Sequence, residues 1–112
     1  MDDTILRRTW AEIDLDAIRH NFQVIEASLA PGSRAMAVVK ADAYGHGAGY
    51  VSRALQEAGA SWFGVPNLDE AMQIRNAGIV EPILVLAYTP PEEAAIWPRP
   101  NGWRISFKSA PP

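Results

Sequence analysis

Thr9 to Asp14 alternates, with Thr9, Ala11 and Ile13 on one side and Trp10, Glu12 and Asp14 on the other. A period of two predicts a short strand. Asp14 is placed to cap a helix. Leu15, Ile18, Phe22, Ile25 and Leu29 then follow at spacings of three and four, opposite Arg19, Gln23 and Glu26. They form one apolar helical stripe, which Pro31 and Gly32 bring to an end.

Ala35 to Val39 is a continuous apolar run of strand length, the pattern of a parallel strand buried on both faces. A second helix is predicted over Ala48 to Ala58, with Val51, Leu55 and Ala58 inward and Gly59 after its end. Trp62 to Val65 reads as another buried strand. Leu68 to Ala77 reads as a helix capped by Asn67 or Asp69 and stopped by Gly78. Ile83 to Ala87 is a third buried strand. Thr89-Pro90-Pro91-Glu92 has the form of a capping box with proline in the first turn, and Pro98 and Pro100 would cut the helix it starts after roughly two turns. Trp103, Ile105 and Phe107 then alternate with Arg104, Ser106 and Lys108, the pattern of a half-exposed strand. Strand, helix and then repeated strand-helix units predict a parallel α/β architecture.

Composition narrows the class. The chain has 112 residues, 48% of them apolar and 21% charged, the profile of one globular domain rather than a disordered segment. A net charge of -3 and scattered Lys and Arg exclude a basic nucleic-acid surface. The absence of cysteine excludes disulfides and thiolate metal sites and fits a reducing compartment. No apolar run has the ~20 residues needed to span a bilayer, and the N-terminal MDDTILRRTWAEID lacks the features of a signal peptide. A cytoplasmic location is therefore the expectation, with no membrane partner and no metal.

One cation stands out in this pattern. Lys40 follows the apolar run Ala35 to Val39 and opens the loop ADAYGHGAG. In parallel α/β folds, ligands bind at the carboxyl ends of strands. Gly45, Gly47 and Gly49 allow close backbone approach just before a helix N-terminus, where anions are favoured. A lysine desolvated by an apolar strand is a candidate amine nucleophile toward a carbonyl. A snorkelling charge at the sheet rim fits the same spacing, so spacing leaves both readings open. His46 is read as orienting the loop or capping the next helix, His20 as a surface residue, and Trp10 and Phe22 as packing groups.

The full string AVVKADAYGHG resembles the pyridoxal-phosphate attachment motif of alanine racemases. The resemblance extends upstream through RRTWAEIDLDAIRHNF and downstream through WFGVPNLDEAMQIRNAGIVEPILVLAYTPPEE, from about Arg8 to Ala95. It implies a partial (β/α)8 TIM-type barrel of three to four βα units, preceded by a short N-terminal strand. The corresponding division is residues 1–14 for that strand segment, 15–97 for the barrel portion and 98–112 for a proline-rich tail that departs from the family pattern. It implies that Lys40 carries pyridoxal phosphate as a Schiff base and then moves the α-proton on one face of the substrate. Tyr44 matches the family tyrosine whose hydroxyl contacts the cofactor phosphate, and Val38 and Leu86 fall where the cofactor pocket is lined.

The implied reaction interconverts L- and D-alanine, supplying D-alanine for peptidoglycan, in a family that works as a homodimer. The alternatives are a racemase of another small amino acid such as serine, or a non-catalytic pyridoxal-phosphate-binding remnant. In the family, the second base is a tyrosine from the other subunit's C-terminal domain. The arginine facing the pyridine nitrogen and the main phosphate-binding loop come from later barrel strands. A few strands of a barrel carry open edges and an uncovered apolar face, so marginal stability, aggregation or dependence on a partner is expected of these 112 residues alone.

Overall fold

A computed structural model describes residues 9–95 and 105–107. Helix α1 spans Leu15–Ser28, and Asp14 caps it by accepting the Ala17 N–H at 3.0 Å. Strand β1 (Ala37–Val38) leads into a short turn, α2 (Lys40–Tyr44), and helix α3 (Ala48–Glu57). Strand β2 (Phe63–Val65) and helix α4 (Leu68–Asn76) form the next unit, and strand β3 (Ile83–Val85) and helix α5 (Pro91–Ala95) the third. Strand β4 (Ile105–Phe107) completes the described chain. Asn67 is the cap of α4, its side-chain oxygen accepting the Glu70 N–H at 2.9 Å. The Pro98 and Pro100 helix stop, and Trp103, Arg104 and Lys108 of the alternating stretch, lie outside the described residues.

The four strands are all parallel and lie in the order β1-β2-β3-β4. Each strand thus sits beside its sequence neighbour, with no reversal of direction around the sheet. A singly wound barrel grows in this way, whereas a doubly wound sheet switches direction partway. The register aligns Ala37, Phe63, Ile83 and Ile105 in one row across the sheet. These residues join Val39, Val65, Val85, Val51, Ala71, Ile74 and Ile79 in one buried cluster between sheet and helices.

The neighbouring row, Val38, Gly64, Leu84 and Ser106, points to the opposite face. The apolar runs predict burial on both faces, but here that second face is partly open, with Met36 and Val38 each 37% exposed. The reason is geometric, since four strands cannot close around an interior that eight would fill.

Three further expectations are corrected. Thr9 to Asp14 forms no strand, because a strand needs a paired edge and no described strand lies beside it. Trp10 is 65% exposed rather than packed, its indole N–H donating to Glu12 at 2.9 Å. On α1, Phe22 is buried and Leu15 and Ile18 pack on the core, but Ile25 is 54% exposed. At 14 residues α1 outreaches its packing partner α3, at 10, so the stripe is covered only over its first turns. No described helix is long and apolar enough to cross a membrane.

At the opposite end of the sheet from Lys40, Arg75 is buried at 2% exposure near the end of α4. Its Nη1 donates to the Ile79 carbonyl at 2.9 Å and the Glu81 carbonyl at 2.6 Å, fixing the α4–β3 connection.

Candidate active site

Lys40 emerges at the C-terminal end of β1, where the chain does something unusual for L-residues. Ala41, Asp42, Ala43 and Tyr44 have φ between 51° and 57°, a complete left-handed turn. Each such residue costs about 1–2 kcal/mol, and αL residues ordinarily occur singly. Four in succession persist only when the surroundings hold them.

The restraints are visible. Ala43 N–H bonds to the Val39 carbonyl and Gly45 N–H to the Ala41 carbonyl, both at 3.0 Å. The Ala43 methyl is buried in the core. Gly45 continues the turn at φ 85°, a conformation glycine adopts without penalty. Asp42 ties the turn to the start of α3: its carbonyl accepts from Gly47 at 2.9 Å and its carboxylate from Ala48 N–H at 2.7 Å. The Asp42 N–H in turn points to the Glu70 carboxylate on α4, at 3.4 Å.

This arrangement changes the expected role of the glycine loop. The start of α3 does attract an anion, but that anion is the chain's own Asp42 carboxylate. The first helical N–H, that of Ala48, is therefore already engaged by the chain itself. Neither Asp42 nor Glu70 was singled out by sequence reasoning. Helix caps normally act over two or three residues, whereas Asp42 reaches Ala48 across six, a reach that only the left-handed turn makes possible.

Lys40 and Tyr44 are four residues apart on this turn, and the amine stands 5.9 Å from the centroid of the tyrosine ring. Both side chains are exposed at the sheet rim, Tyr44 at 61%. The lysine is thus not desolvated by its strand as the apolar run suggested, because α2 carries it out of the sheet. Among the described residues it forms no ion pair with a carboxylate. His46 is exposed, and its Nδ1 lies 3.2 Å from the Tyr44 carbonyl, a bond within the loop that leaves it in the orienting role.

Val38 and Leu86 meet at Gly64. A Cβ there would lie 3.0 Å from Met36 Sδ, 3.4 Å from Val38 Cγ2 and 3.5 Å from Leu86 Cδ1. The bare glycine lets the Met36, Val38 and Leu86 side chains converge over β2, forming an apolar wall on the face opposite the buried row. The turn thus presents an amine beside a phenol, and β2 carries an apolar wall of its own.

Comparison with known proteins agrees with this architecture. The alanine racemase of Carboxydothermus hydrogenoformans is 52% identical over 88 residues, covering 79% of this chain and 24% of that protein. The alanine racemase of Desulfosudis oleivorans is 54% identical over 81 residues, 72% of this chain and 21% of that protein. The crystal structure of alanine racemase from Bacillus anthracis with bound L-Ala-P superposes with a TM-score of 0.79 at 40% identity, over 92% of this chain and 26% of that one. The chain thus spans about a quarter of the length of these relatives, and its four-stranded sheet is a partial TIM barrel of their kind. The family described as "Alanine racemase, N-terminal domain" matches residues 13–107, taking in every strand from β1 to β4. The chain belongs to that family.

Proposed function

We propose that this chain supplies the lysine side of a pyridoxal-phosphate-dependent racemase that interconverts L- and D-alanine. The observation that carries this reading is the placement of Lys40, presented at the carboxyl end of β1 with its amine over the Tyr44 ring. The residues present fit the cofactor. Lys40 would hold it through the amine, Tyr44 would donate its hydroxyl to the phosphate, and Val38 and Leu86, meeting over Gly64, would bound the ring.

When bound, pyridoxal phosphate supplies an electron sink that makes the α-proton of an amino acid acidic. Lys40 Nζ would then act as the base on one face, accepting the α-proton when neutral and returning it when charged. Inversion needs a second acid-base group on the opposite face. The family resemblance assigns that role to a tyrosine of a second subunit, in a region these residues do not span. Racemisation is therefore proposed for the homodimeric protein of which this sequence forms the lysine-bearing portion, with D-alanine for peptidoglycan as its use.

Titrating the chain with pyridoxal phosphate tests the reading. A visible Schiff-base absorbance is expected for the native sequence and should be lost in Lys40→Ala. An equal absorbance in the two proteins would refute the assignment.

A further inference from the structure

We propose that Asp42 is the positioning residue of the Lys40–Tyr44 pair, holding the left-handed turn by a side-chain hydrogen bond to the start of α3. This inference rests on Lys40 being the cofactor lysine. The turn runs against the conformational preference of L-residues, so its shape must be imposed by specific contacts. Its backbone bonds to Val39 and Ala41 close the turn, and the buried Ala43 methyl seats it on the core. Asp42 ties it to the neighbouring helices. Three of its polar groups are engaged: carboxylate to Ala48 N–H at 2.7 Å, carbonyl to Gly47 N–H at 2.9 Å, and N–H toward Glu70 at 3.4 Å. The turn is thereby pinned to α3 of its own unit and to α4 of the next.

The pinning has a consequence for the site. Lys40 and Tyr44 lie at the two ends of the turn, and their 5.9 Å approach depends on the φ values of the residues between them. Released from Asp42, those residues would relax toward ordinary φ and the amine and ring would separate. The hydrogen bond is the operative feature rather than the negative charge, because an asparagine Oδ1 can accept from the same N–H. Asparagine and aspartate are equivalent in this role at helix starts.

The test uses the full 112-residue chain with Asp42→Ala, Asp42→Asn and Ala48→Pro. The last removes the donor while leaving Asp42 intact, at a first helical position where proline is tolerated. Without cofactor, three-bond HN–Hα couplings and carbon shifts of Ala41 and Ala43 report the sign of φ. Asp42→Asn is expected to keep the left-handed signature, and Asp42→Ala and Ala48→Pro to lose it. With cofactor, the apparent Kd for pyridoxal phosphate should weaken about five- to tenfold in Asp42→Ala, the fold-change of a lost helix-start bond, and stay within about twofold in Asp42→Asn.

Retention of the left-handed signature in Asp42→Ala or in Ala48→Pro would overturn the proposal. So would an Asp42→Asn protein as weak as Asp42→Ala. Should Asp42→Ala fail to fold, the Asp42→Asn and Ala48→Pro pair still decides. Absence of any cofactor signal in the native chain would instead sink the cofactor reading, and the couplings would judge Asp42 independently.

Discussion

Replacing Arg75 by methionine sets two large terms against each other. The guanidinium is 2% exposed and donates through Nη1 to the carbonyls of Ile79 and Glu81 at 2.9 and 2.6 Å. Two bonds from a charged donor are worth about 1.5–3 kcal/mol each. Against this stands the cost of dehydrating a cation, several kcal/mol, which methionine would recover. What decides is the fate of the acceptors. Glu81 is half-buried, so its carbonyl can turn to water, whereas Ile79 is fully buried and its carbonyl cannot.

One orphaned buried carbonyl costs about 1–3 kcal/mol, so Arg75→Met is expected to destabilise by roughly that amount. With a urea m-value of about 1–3 kcal/mol/M, the unfolding midpoint should fall by on the order of 1 M at unchanged slope. Urea melts followed by circular dichroism at neutral pH measure it, with Arg53→Met on the exposed face of α3 as a control expected within about 0.5 kcal/mol of the native chain. Burial lowers the Arg75 pKa, and the Glu81 carboxylate opposes that shift. With the folded-state value the lower one, the contribution of this group to stability rises as pH climbs from the folded-state value towards the unfolded one. An Arg75→Met chain as stable as the native one would refute the reasoning, showing that dehydration outweighs both bonds.

Ile83→Ala, at a fully buried central-strand position, should cost about 2–5 kcal/mol in the same melts, and a smaller loss would mean the site collapses around the void. Asn67→Ala should lose about 1 kcal/mol through its cap on Glu70 N–H, with Asn67→Asp near neutral. The open row of Met36 and Val38 should drive concentration-dependent association in sedimentation runs. A monodisperse monomer with a sharp, reversible thermal transition would contradict that.

How much of the fold was legible in the sequence depends on the range of each interaction. Asp14, Asn67, Gly59 and Gly78 bound helices through bonds spanning a few residues, so their roles could be read directly. The β1, β2 and β3 runs were legible because apolar strands between helices have few other uses. Thr9 to Asp14 misled because alternation signals a strand but not the neighbour it must pair with. Ile25 misled because periodicity gives a stripe but not the length of the partner covering it. At the candidate site, Lys40 and Tyr44 stood out through the resemblance of the string around them. Asp42 did not, because its bond to Ala48 exists only after four residues adopt a conformation that propensity disfavours.

Everything proposed for the site depends on Lys40 being the cofactor-bearing amine, and the chain is well suited to a direct test, holding only two lysines, Lys40 and Lys108. Pyridoxal phosphate is added at low molar ratio, the adduct is fixed with borohydride, and the modified peptides are mapped by mass spectrometry. The pyridoxyl group is expected on the peptide carrying Lys40, in large excess over Lys108 and the N-terminal amine. Equal labelling of both lysines, or labelling that spares Lys40, would contradict the assignment.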